Sequence, residues 1–187
     1  MIKSLLVVAM LSIGIHANAG LTQIESQAVM NTLAQPSLLD DLFIVGESAD
    51  YKMNGGFIQG TVHMFVREAT ADGFWIQQDM NLGVMGAHKV EVLYDKNSGK
   101  VSKILMDGQE QAPPDQSQMK IIASHKDHIT VPKGEFDCMY IKIHDNAKNE
   151  DSEVWISPAV SVAHMVKTVS PSPIGAMTVE LTDFVKK

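Results

Sequence analysis

The hydrophobic period of this chain changes once. Before Pro36 the apolar positions recur at helical spacing, with Leu21, Ile24, Ala28, Val29 and Leu33 on one stripe. Thr22 stands where an N-cap belongs, Glu25 follows three residues later, and Pro36 cannot continue a helix. One helix is expected there. From Leu42 onward the period is 2. Residues 57–68 set Ile58, Val62, Met64 and Val66 against Gln59, Thr61, His63 and Arg67. Residues 74–82 set Phe74, Ile76, Met80 and Leu82 against Trp75, Gln77, Asp79 and Asn81. Met139, Ile141 and Ile143 oppose Tyr140, Lys142 and His144, and near the end Val179 and Leu181 oppose Thr178, Glu180 and Thr182. Residues 89–94 and 101–106 flank Asp95-Lys96-Asn97-Ser98-Gly99-Lys100, a turn-rich linker that predicts a β-hairpin. Short strands are also expected over 153–157 and 164–169, and Gly55-Gly56 reads as a tight turn. The stretch Gly108–Gln118, with Pro113-Pro114, has no period and predicts a surface loop placed to act as a lid. About ten or eleven strands separated by turns predict a largely antiparallel sheet, and with the helix an α+β class.

The first nineteen residues have a different logic. Lys3 supplies a positive start, Leu5 to Ile15 an apolar stretch, and Ala17-Asn18-Ala19 the small residues of a cleavage site. A membrane-crossing helix needs about 20 apolar residues, more than this stretch holds. Residues 1–19 are therefore expected to be a signal peptide and 20–187 a single domain, periplasmic or secreted, with no transmembrane segment after cleavage.

Composition narrows the function classes. The net charge is −7, and removal of Lys3 makes the mature chain one unit more negative. With no basic stripe, nucleic acid is not expected as a partner, since phosphate contacts need clustered Lys and Arg. The single cysteine, Cys138, excludes an intramolecular disulfide, and its apolar strand context reads as a small buried hydrophobe. Of the histidines, His125-Lys126-Asp127-His128 is the closest pair and predicts a turn with two imidazoles facing each other. Two ligands do not make a metal site. Cys138 and His144 share a face but lie some 20 Å apart in an extended strand. No nucleophile, base and oxyanion constellation is present, so the expectation is a non-enzymatic protein with no catalytic residue, metal or cofactor. The chain is rich in methionine, with 12 residues, and poor in aromatics at 6%. Methionine is flexible and suits surfaces that accept varied apolar groups.

The order of elements, a leader, a helix and then a long antiparallel meander, resembles the periplasmic LolA/LolB-like superfamily. The resemblance is carried by Gly134-Glu135-Phe136-Asp137-Cys138, by Val154-Trp155-Ile156-Ser157-Pro158 and by His164-Met165-Val166-Lys167. The hairpin at Asn97-Ser98-Gly99-Lys100 and the following Asp107-Gly108 fit the same meander. It implies a curved, open half-barrel capped by a helix, holding lipid or an acylated protein in its concavity. The interior arginine of such carriers has no counterpart, because Arg67, the sole arginine, falls on the polar face of its strand. The expected apolar lining is Val62, Met64, Val66, Ile76, Met80, Met139, Ile141, Val179 and Leu181. The alternative is an interaction module of a cell-envelope assembly, in which the same positions form a closed core and the partner is an envelope protein.

Overall fold

The computed structural model describes residues 43–112, 119–172 and 175–187. The expected signal peptide and helix lie outside these residues. What is described is one antiparallel sheet of eleven strands, with a single short 3-10 turn. The strands are β1 (Ser48–Gly55), β2 (Ile58–Ala69), β3 (Gly73–Asn81), β4 (Ala87–Asp95), β5 (Val101–Met106) and β6 (Gln109–Gln111). They continue with β7 (Met119–Val131), β8 (Gly134–Asp145), β9 (Glu150–Ile156), β10 (Met165–Ser172) and β11 (Gly175–Val185). Their spatial order is β6-β5-β4-β3-β2-β1-β11-β10-β9-β8-β7. Two meanders are thus spliced at the centre, where the first strand pairs with the last.

That topology forces curvature. The edges β6 and β7 are consecutive in the chain, and only residues 112–118 join them. Eleven strands about 4.8 Å apart would place the edges of a flat sheet roughly 48 Å from each other. The connection reaches at most about 28 Å even fully extended. The sheet must therefore curl. Register shifts in five of the ten pairings supply the local bends, at Asp50/Tyr51, Val66/Glu68, Leu93/Tyr94, Ile121/Ala123 and Met165/Lys167. At Gly73 a Cβ would stand 1.8 Å from the Tyr94 carbonyl oxygen, so only glycine lets β3 start this close to β4.

In the C-terminal half the sheet folds back on itself. β8 runs on past the end of β9, and the β7–β8 turn folds across to β11. There Lys133 N–H donates to the Leu181 carbonyl at 3.1 Å, and its ammonium pairs with Asp183. The same ammonium stands over the Phe184 ring, which Phe136 approaches at 6.5 Å. One apolar cluster then links both halves, from Phe43, Val66 and Ile104 to Val160, Met165 and Leu181.

Two expectations need correction. His125 to His128 is not a turn but the middle of β7, where residues three apart project to opposite faces. His125 is paired with Tyr140 and His128 with Asp137. The stretch after Gly108 is not wholly loop, because Gln109–Gln111 forms the edge strand β6 against β5. The hairpin at Asp95–Lys100 forms as expected. The Asp95 carboxylate accepts from the Ser98 hydroxyl at 2.6 Å and from its N–H at 2.7 Å, which holds the carboxyl below its ordinary range.

Candidate functional site

The inner face is built row by row from cross-strand partners. One row runs Leu181, Tyr51, Val62, Met80 and His88 across β11, β1, β2, β3 and β4. A second runs Ile141, Val154, Thr168, Val179 and Met53 across β8, β9, β10, β11 and β1. Val66 pairs with Ile76, which pairs with Val92. All nine residues expected to line a cavity have places on these strands, and their burial decides how open it is. Val62, Met64, Val66, Ile76, Met80, Ile141, Val179 and Leu181 are at most 5% exposed, while Met139 is half-buried. Seven of the nine belong to the single core cluster, and Met139 and Ile141 do not. Burial also pushes the Tyr51 and Tyr94 phenols up, Tyr94 to about 12, and Tyr51 donates to the Met165 carbonyl at 3.1 Å.

A groove of about 720 Å³ crosses β1 to β4 along the same strands. Tyr51, Val62 and Met80 border it, and its exposed lining is a polar row of register partners, Asp50, His63, Asp79 and Lys89, which alternate with them and so face away from the apolar side. His63 Nδ1 meets Asp50 at 2.7 Å, and His88 Nδ1 meets Asp107 at 2.9 Å. Three carboxylates against one ammonium give the groove an acidic wall. Among the described residues, no group of three or more His, Cys, Asp and Glu side chains converges to hold a metal ion.

The outer face carries features that the sequence reading did not bring together. His125, Tyr140, Trp155, Lys167 and Glu180 form one cross-strand row. The His125 and Tyr140 rings are 4.6 Å apart and those of Tyr140 and Trp155 5.0 Å. Lys167 stands over Trp155 and pairs with Glu180 at 2.9 Å. Trp155 Nε1 donates to Asp127, the first cause of that carboxyl's lowered pKa. Burial, then the Glu153 carboxylate at the end of its hydrogen bond, raises the Tyr140 phenol to about 12. The signal available in sequence was the alternation of Tyr140 and Trp155 with apolar neighbours. The cross-strand partner of each was invisible.

Arg67 lies on this outer side as well. It pairs with both Glu91 and Glu68 and stacks over Trp75 at 5.1 Å. Glu91 is only 6% exposed, so Arg67 serves as its counter-charge and is not aimed inward. Cys138 is buried, and desolvation, then the Asp127 and Asp137 carboxylates, raises its thiol to about 11. A thiol so raised is a poor nucleophile near neutral pH. Thr168 and Ser170 on the inner face of β10 were not singled out by sequence, although they alternate with Lys167 and Val169.

No family model matches this chain, and no curated protein matches it. Among solved structures it is similar to the hypothetical protein CT021 from Chlamydia trachomatis. The TM-score is 0.49 at 10% identity, over 81% of this chain and 92% of that one. It is also similar to MucB, with a TM-score of 0.46 at 9% identity over 86% of this chain, and spans 58% of the MucB chain.

Proposed function

We propose that the chain is an exported, non-enzymatic carrier or sensor of the cell envelope, taking the apolar chain of a lipid or acylated protein against the inner face of its curled sheet. The observation that supports this reading is the nature of that face. It is continuous across the spliced centre of the sheet, and six methionines, Met53, Met64, Met80, Met106, Met165 and Met177, belong to its core cluster. Methionine rearranges at little energetic cost, so an interior closed without ligand is still able to admit a flexible chain. Burial of acyl surface would drive binding at about 25 cal/mol per Å², before the entropy lost on association.

A second reading is favoured by a specific observation, the burial of eight of the nine expected lining residues to 5% or less. In that reading the interior is a permanent core, and an envelope protein partner meets the outer face. Native mass spectrometry of the protein purified from its own envelope, with lipid analysis of the denatured extract, separates the two. Near-stoichiometric lipid or acylated protein supports the carrier. A clean protein mass, together with no displacement of a fluorescent fatty-acid probe, transfers the assignment to the interaction module.

A further inference from the structure

Two hydroxyls within the apolar face have no partner among the described residues. Thr168 Oγ1 and Ser170 Oγ on β10 make no hydrogen bond to any described residue, and their residues are 2% and 4% exposed. Two positions apart on one strand, they project from the same face about 7 Å from each other. Register sets Thr168 between Val154 and Val179, and Ser170 beside Met177. A hydroxyl taken out of water without a replacement bond is unfavourable, and valine and alanine would fill these volumes without that loss. Other hydroxyls buried nearby are satisfied: Ser161 donates to the Ser48 carbonyl at 2.7 Å and Tyr51 to the Met165 carbonyl. The orphaned pair therefore marks a spot where the folded chain keeps hydrogen-bonding capacity that its own structure does not use.

We infer that Thr168 and Ser170 receive the uncharged polar head, a hydroxyl or ester carbonyl, of a single-chain amphiphile whose apolar tail lies along the inner face. The inference rests on the carrier reading and specifies its ligand. A hydroxyl both donates and accepts, so the pair serves either kind of head. An ionised head is excluded by the surroundings. The charged residues of β9 to β11 nearest in register, Glu153, Lys167 and Glu180, alternate to the opposite face, where Lys167 and Glu180 neutralise each other. An unpaired charge on the inner face would keep its full desolvation penalty.

The test uses phenylnaphthylamine as a fluorescent reporter of the interior, displaced by dodecanol or by chlorododecane, which has the same chain length but no hydroxyl. The wild-type protein is expected to prefer dodecanol over chlorododecane, and the variant Thr168→Val with Ser170→Ala to lose about tenfold of that preference. In the absence of ligand that variant melts no lower than wild type, and Thr168→Ser keeps the preference. An unchanged preference in the double variant, or a lower melting temperature that marks the hydroxyls as bound to structural water, overturns the inference while leaving the carrier reading intact. Failure of the reporter to bind, or of either alcohol or chloride to displace it, overturns both.

Discussion

At the scale of single residues, two positions carry consequences that a measurement can reach. Between β9 and β10 the chain takes Val162, Ala163 and His164 through left-handed backbone, at φ of 47°, 61° and 58°. Such a conformation is unfavourable by about 1–2 kcal/mol for a residue with a Cβ. It persists because the segment is held from several sides: Ser157 N–H donates to the His164 carbonyl at 2.8 Å, His164 Nδ1 meets the Val160 carbonyl at 2.7 Å, and Val160 and Val162 are fully buried. Glycine at 163 relieves the strain at the smaller cost of a more flexible unfolded chain. Ala163→Gly is therefore expected to raise stability by about 0.5–1 kcal/mol, read as a higher denaturant midpoint at unchanged slope. A lower midpoint would mean that the methyl group packs more than the backbone strains. His128 is the second case. Its hydrogen bond to Asp137, at 2.8 Å across β7 and β8, raises its pKa, with Glu135 adding to the effect. A raised folded-state pKa contributes stability that is complete below the unfolded value of about 6.5 and fades as pH rises through the folded value. The imidazole titration of His128 followed by NMR is expected to have its midpoint above 6.5, and Asp137→Asn to bring it down. Equal midpoints in the two proteins would show that the pair does not persist in solution.

At the scale of elements, the tip of the β7–β8 hairpin reaches β11 through contacts of two side chains beside the core members Val131 and Cys138, so the tip can be loosened selectively. Lys133 supplies a backbone bond to Leu181, an ion pair to Asp183 and a cation over Phe184, while Phe136 supplies the ring contact. Lys133→Ala with Phe136→Ala is expected to speed hydrogen exchange of peptides within 129–139 while those of β2 and β3 keep their protection. Unchanged exchange in 129–139 would show that the hairpin is held by its other contacts. The Lys133 ammonium also holds the Asp183 carboxyl below its ordinary value, so this contact is complete above about pH 4 and is lost as pH falls through the lowered value. The same comparison of elements explains what the sequence made legible. β2, β3 and β11 have one face in the core and one toward solvent, so their alternation was readable, and with it the lining residues Val62, Met80 and Val179, whereas in β8 the two buried residues, Cys138 and Ile141, lie three apart on opposite faces. β7 is an edge strand exposed or half-buried on both faces through Ala123 to His128. Without a buried face it has no period, and its two histidines passed for a turn.

At the scale of the whole molecule, the illegible part was the splice. Nothing local in Tyr51 or Leu181 announces that the first and last strands are neighbours, yet that pairing joins two meanders into one sheet and closes the inner face over the expected lining. It also has a thermodynamic consequence. If the two halves shared only a linker, each would unfold by itself; sharing a central pair of strands and one core cluster, they are expected to unfold together. The chain contains two tryptophans, and they fall one in each half, Trp75 on β3 and Trp155 on β9. Single-tryptophan variants, Trp155→Phe and Trp75→Phe, thus report the two halves separately, and each is expected to show one transition whose midpoint in urea agrees with that seen by circular dichroism of the same variant. Leu181→Ala, which removes a fully buried side chain at the splice, is expected to lower both midpoints together by the equivalent of about 2–5 kcal/mol. A shift confined to the Trp155 reporter would divide the chain into two units that meet only at an interface, and the inner face would then open by separation of the halves instead of by rearrangement of its methionines.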